Sequence, residues 1–264
     1  MIFLKSLASA FLMYSKIPMP RVEWRDENRR YALCFFPLVG AVIGGALLLW
    51  QWLCRWVGFG TLLNAAVCTA IPVLITGGIH LDGFCDVADA VSSHAERSKK
   101  LEILSDPRIG AFAAIKLGVY LLIQTALFSE MAQFRSLRAE IVVAIGFVLS
   151  RALSGLAAVC FKNAKSGGSL WAFTEPAHKT VTLAVLGIIT ALCAFAMIFV
   201  SPLCGGAAVI ASAISFIWYR LFAYKQFGGV TGDTAGWFLQ ICELLILAAA
   251  VIGELVGGIT QWLW

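Results

Sequence analysis

The sequence predicts an all-α, polytopic membrane bundle of about seven transmembrane helices, preceded by an interfacial or re-entrant helix. Three observations carry that expectation. Mean hydropathy is +0.87 and only 13% of the 264 residues are charged, which excludes an ordinary soluble domain. Apolar segments of spanning length recur at about 31–53, 61–80, 110–130, 139–161, 181–200, 204–221 and 234–256. Basic residues alternate with them unevenly: fifteen fall on one side of the expected bundle and three (Arg55, Arg135, Arg138) on the other.

Residues 2–14 are apolar, but Lys5 interrupts them and no small-residue cleavage site follows, so a signal peptide is not expected. The stretch is too short to span, and Ile2, Phe3, Leu7, Ala10, Phe11 and Tyr14 can share one face, as in a helix lying at an interface. Ser201-Pro202, followed by Cys204-Gly205-Gly206, marks a tight hairpin between two spans. The charge bias orients the chain. The N-terminus and the loops near 15–30, 81–109, 162–180 and 220–233 are expected in the cytoplasm. The C-terminus is expected outside, anchored by Trp262 and Trp264. A net charge of +5 is too small to suggest nucleic-acid binding. None of the eight cysteines forms a C-x-x-C pair, and most lie in apolar runs, so they read as small buried hydrophobes. No repeat or low-complexity tract divides the chain, and 1–264 reads as one membrane domain.

Against this apolar background, six of the fifteen acidic residues lie between Asp82 and Asp106. The run Gly77-Gly78-Ile79-His80-Leu81-Asp82-Gly83-Phe84-Cys85-Asp86-Val87-Ala88-Asp89 places Asp82, Asp86 and Asp89 at i, i+4 and i+7. At ~100° per residue these fall within about 60° of one another on a helix spanning roughly 82–93. Three like charges on one face are costly unless a cation neutralises them. Carboxylates at this spacing suit Mg²⁺, which takes one or two of them with waters and substrate phosphates. A solvated polar face is the plainer alternative. The helix either continues the second span or turns at Gly77-Gly78 to lie along the interface.

Downstream, Asp106-Pro107 reads as a helix N-cap with proline at the first helical position, and Arg108 there suits a phosphate. Glu102 and Asp106 are i, i+4. In Gly228-Gly229-Val230-Thr231-Gly232-Asp233-Thr234, Thr231 or Asp233 can cap the last span, whose free N–H groups could also hold phosphate. Lys116, Arg151 and Glu243 lie inside spans, where a charge costs ~2.5–3.5 kcal/mol or more, and Arg151 and Glu243 are expected to pair. His80 adjoins the acidic face but points away from Asp82, so an orienting role and metal ligation both stay open.

In these elements the chain resembles the cobalamin synthase (adenosylcobinamide-GDP ribazoletransferase) family. The resemblance runs through Ser15-Lys16-Ile17-Pro18-Met19-Pro20, Phe36-Pro37-Leu38-Val39-Gly40 and Thr76-Gly77-Gly78-Ile79-His80-Leu81-Asp82-Gly83 with Asp86 and Asp89. It continues through Asp106, Arg108 and Gly110 to Thr231-Gly232-Asp233-Thr234 and Glu243. The 162–180 loop carries no motif. The resemblance implies a multi-pass enzyme of a prokaryotic cytoplasmic (inner) membrane, with its active site facing the cytoplasm. It implies an Mg²⁺-dependent transferase that joins adenosylcobinamide-GDP to α-ribazole or its 5′-phosphate and releases GMP. The partners implied are these small molecules and the lipid bilayer, with self-association open. Asp82 and Asp86 would be Mg²⁺ ligands, Asp89 a ligand or the general base, and Asp106 a further ligand. Arg108 would steady a phosphate, and Thr231 and Asp233 would line the nucleotide or ribose site.

Two other functions fit parts of the pattern. A CDP-alcohol phosphotransferase also uses membrane aspartates, but its motif places Ala-Arg where Asp86-Val87 stands, and no G-x-x-x-D-x-x-x-D follows. A cation transporter would place its carboxylates near the middle of the bilayer rather than at one basic face.

Overall fold

A computed structural model describes residues 2–165 and 168–262. Trp264, and the side chain of Trp262, lie outside the described residues. The helices are α1 (Ile2–Tyr14), α2 (Asp26–Arg29), α3 (Ala32–Val57), α4 (Thr61–Thr76), α5 (Ile79–Ser92), α6 (Arg97–Ile103), α7 (Ala111–Phe134), α8 (Leu137–Cys160), α9 (Ser169–Thr174), α10 (Lys179–Val200), α11 (Pro202–Phe227) and α12 (Gly232–Trp262). Among the described residues there is no strand, only one parallel bridge between Asn163 and Val230. Six helices (α3, α7, α8, α10, α11, α12) are long and apolar enough to cross a membrane, and α4, which bends by 96° into α5, is the apolar segment that would make a seventh.

The bundle forms around α8, the most buried of the long helices. In lipid, close packing rather than water exclusion holds helices together, and small residues permit it. Gly40 and Gly44 on α3 face the backbone of Phe147 and Ala144 on α8, leaving no room for a side chain. Gly205 lies on the Met197 backbone in the α10–α11 hairpin, and Gly253 of α12 lies on Cys204 of α11. The hairpin turn stands as expected: Pro202 opens α11 and Ser201 Oγ accepts a hydrogen bond from Cys204 N at 3.3 Å. Phe195 and Phe199 on α10 and Leu122 on α7 point outward, as lipid-facing side chains do. Arg151 and Glu243 pair as expected, at 2.6 Å between α8 and α12 and fully enclosed. All eight cysteines are free, and six of them are buried.

Three local expectations are corrected. The second span ends at Thr76, because Gly77 and Gly78 both adopt left-handed backbone (φ +68° and +81°), and the chain turns by 96° into α5. Of the two alternatives for the aspartate helix, the turn is the one realised. Asp106 does not cap a helix through Pro107. It forms a local turn onto the N–H of Arg108, and α7 begins later, at Ala111 with Gly110 as its N-cap residue. α1 also differs in its packed face: Ser6, Ser9, Ala10 and Phe11 are buried, whereas Ile2, Phe3 and Leu4 are exposed.

The four basic loops meet at one end of the bundle. Lys16 N donates to Ile75 O at 2.7 Å, His178 N to Arg30 O at 3.1 Å, and Val230 N to Lys162 O at 2.9 Å. Arg97 Nε donates to Lys225 O at 3.1 Å. At the opposite end, Arg55 and Glu140 pair at 2.6 Å, and Ser136 Oγ donates to Glu254 at 2.7 Å.

Candidate active site

The aspartate helix is positioned by two glycines. A carbon added to Gly83 would meet the Asp233 backbone, and one on Gly236 would meet that of His80. α5 therefore crosses the first turns of α12 at near backbone contact. The start of α12 is fixed by a reciprocal cap: Thr231 Oγ1 accepts from Thr234 N at 3.1 Å, and Thr234 Oγ1 accepts from Thr231 N at 2.8 Å. Thr231 thus caps the last span, as its spacing suggested, and Asp233 stands in the first turn.

Three clefts converge here. One of about 220 Å³ runs between Tyr14, Leu33, Phe36 and Leu239 to Asp82 and Asp233. A second, of about 510 Å³, lies between Leu12, Lys16, Gly77, Leu117 and Asp82. A third, of about 210 Å³, is lined by Ser105, Asn163, Lys165, Trp171, Thr231 and Asp233. Asp82 borders the first two and Asp233 the first and third, so these carboxylates stand where the clefts adjoin.

The predicted site residues divide into two groups. Asp82, Asp86, Thr231 and Asp233 come together. Burial, then the neighbouring charges of Asp82, Asp233 and Asp89, push the Asp86 carboxyl up to about 7. Asp89 has both oxygens engaged, accepting from Gly110 N at 2.6 Å and Ala113 N at 2.8 Å at the start of α7. Asp106 and Arg108 form an exposed two-point pair with each other, at 2.9 and 2.7 Å. Hydrogen bonds from the Arg108 side chain hold the Asp106 carboxyl down to about 2.

Two lysines complete the site. The stem of Lys16 lies across Gly77, where any side chain would collide with it. Lys165 Nζ donates to Leu101 O and Ser105 Oγ, both at 2.7 Å, and its charge acts on Asp233. Lys16 belongs to the Ser15–Pro20 motif, which by itself assigns it no role. Lys165 had no local signal, because only the fold brings the 162–180 loop beside α6 and α12.

The donor set suits a hard cation: carboxylate oxygens only, with Asp86 raised first by burial and then by its acidic neighbours. Among the described residues no three carboxylates converge into a ready cage. That is compatible with Mg²⁺, which is completed by waters and substrate phosphates.

This constellation coincides with a known family. A profile described as cobalamin-5-phosphate synthase matches residues 6–251. The chain belongs to that family. Among curated relatives, the adenosylcobinamide-GDP ribazoletransferase of Lachnoclostridium phytofermentans is 46% identical, over 98% of this chain and 99% of its own. The protein of the same name from Pseudomonas fluorescens (strain SBW25) is 33% identical, over 93% and 98%. That from Clostridium perfringens (strain 13) is 31% identical, over 92% and 95%. No solved structure matches. The region matched to the cobalamin-5-phosphate synthase family contains every residue named in this site and both members of the Arg151–Glu243 pair.

Proposed function

We propose that this protein is an adenosylcobinamide-GDP ribazoletransferase of the cytoplasmic membrane, with its active site at the basic end of the bundle. The observation that carries the reading is the convergence of Asp82 and Asp86 on Asp233 at the start of α12, bordered by Lys16 and Lys165, in a chain of this family. The fifteen-to-three bias of basic residues supports a cytoplasmic position for that end.

The reaction forms one bond and breaks one. The 3′-hydroxyl oxygen of α-ribazole, or of its 5′-phosphate, attacks the phosphorus that carries the cobinamide aminopropanol. The bond from that phosphorus to the bridging oxygen breaks, and GMP leaves with the electron pair. Lys16 and Lys165 bind the pyrophosphate from the flanking clefts, and the free N–H groups at the α12 N-terminus favour the same anion. The hydroxyl proton passes to Asp86, whose carboxyl stands at about 7 through burial and its acidic neighbours. Asp89 orients α7 instead, since both of its oxygens are taken. Mg²⁺ held by Asp82 and Asp233 would neutralise charge on the pyrophosphate. The Tyr14 and Phe36 rings, packed together at 4.1 Å between centroids, give one cleft beside the carboxylates an apolar wall.

The test is GMP release by the full chain, purified in detergent or liposomes, from adenosylcobinamide-GDP with Mg²⁺ and α-ribazole or its phosphate. Corrinoid product and GMP should appear in equal amounts. Their absence with both acceptors, in correctly folded protein, overturns the reading.

A further inference from the structure

Next to the aspartate helix lies a small polar chamber to which the reaction above assigns no role. It is lined by Thr69 and Thr76 of α4, His80 of α5, Gln124 of α7, Arg151 of α8 and Gln240 of α12. His80 is 5% exposed and its Nε2 has no partner among the described residues. Arg151 is fully buried. Its Nη1 is fixed by Glu243 at 2.6 Å and Phe147 O at 2.9 Å, but Nε and Nη2 have no partner among the described residues. Both groups sit against the Phe36 ring, each 5.9 Å from its centroid, so they share one small neighbourhood. The chamber measures about 10 Å³, close to the room one water needs. Buried polar atoms are satisfied by protein or by ordered water in nearly all folded proteins. The chemistry is complementary: guanidinium N–H groups only donate, and a neutral imidazole with its proton on Nδ1 presents Nε2 as an acceptor.

We propose that this chamber holds one ordered water that accepts from Arg151 and donates to His80 Nε2, and that His80 is thereby a positioning residue for the aspartate helix. The role in catalysis rests on the transferase reading above. His80 lies two residues before Asp82, just past the two-glycine corner, where α5 has no side-chain cap. The bridge ties the first turn of α5 to the Arg151–Glu243 pair, and so fixes Asp82 and Asp86 relative to α8 and α12. Losing it lets the carboxylates shift, and small displacements of reacting groups cost large factors in rate.

His80→Phe keeps a ring but removes the acceptor, whereas His80→Gln restores a polar group near the Nε2 position. In full-length protein, His80→Phe should lower kcat about 10-fold or more, with KM for both substrates within about 3-fold of wild type, and His80→Gln should recover most of the loss. Wild-type kcat in His80→Phe, or an equal loss in both variants, overturns the proposal. A second measurement needs no activity and leaves His80 itself intact. The chain has three histidines, so ¹⁵N-histidine spectra of the detergent-solubilised wild type are assignable with His94→Gln and His178→Gln. The expected tautomer of His80 carries its proton on Nδ1. A proton on Nε2 overturns the bridge. If the enzyme releases no GMP at all, the transferase reading fails while the tautomer still decides the bridge.

Discussion

Asp86 concentrates the electrostatic tension of the site. Its carboxyl stands at about 7 because folding buries it among like charges. Between its ordinary value and 7, the folded state holds a proton that the unfolded state has lost. Stability of the metal-free protein should therefore fall as pH rises from about 5 to 8. Thermal unfolding in chelator at the two ends of that range checks this, and millimolar Mg²⁺ should shrink the difference. Asp86→Asn should flatten the same profile while lowering turnover about 10²–10⁴-fold, the range of lost general-base catalysis. Asp82→Asn should also lose turnover. Lys165→Ala leaves the carboxylates in place, so it should raise KM for the nucleotide substrate more than it lowers kcat. The acidic row was legible in the sequence because its helical spacing is local. The engagement of Asp89 was not, since its partners, the N–H groups of Gly110 and Ala113, lie 21 and 24 residues away.

At the scale of elements, the site depends on how closely α5 approaches α12. Gly83→Val should push the helices apart at Asp233 and abolish activity, while far-ultraviolet circular dichroism still reports a helical bundle. A fully active Gly83→Val would show that the crossing has slack. The Arg151–Glu243 pair obeys a different rule. Removing one partner leaves a buried charge and should cost about 3–5 kcal/mol, whereas replacing both with methionine should recover most of that. Denaturation of the two single variants and the double variant measures it. The pair was legible because a charge within a span must find a partner. The glycine contacts were not, since each glycine reads alike until the fold supplies its neighbour. The break at Gly77-Gly78 stood between: the dipeptide marked a turn, but only the packing of α5 on α12 and α7 decides against a straight helix.

For the whole molecule, hydropathy located the spans to within a few residues at most ends, because each must be apolar over a bilayer's thickness. Charge bias sorted the loops into two sets, and the fold gathers each set at its own end. This fixes a strong expectation for topology. Reporters fused within 93–105 should behave as cytoplasmic, and those in the turn at 58–60 as external. A reporter at 93–105 active only outside the cytoplasm would invert the chain and move the carboxylates to the wrong compartment for a nucleotide substrate. The site as a unit was less legible than the spans. It draws on α1, α3, α5, α8, α12 and the 162–180 loop, and their convergence is a property of tertiary packing.

Gly110 has an ordinary backbone conformation, with φ −89°. Nothing about the turn itself demands glycine there. What forbids a side chain is the Asp89 carboxylate, whose atoms would lie 2.6–2.8 Å from an added carbon. The two positions are therefore bound by inheritance as well as by contact. Gly110→Ala should damage the protein only while Asp89 is present, and Asp89→Ala should rescue it. Among descendants of a common ancestor, a chain that gives up this aspartate is released to put almost any residue at the glycine, and one that keeps it is not.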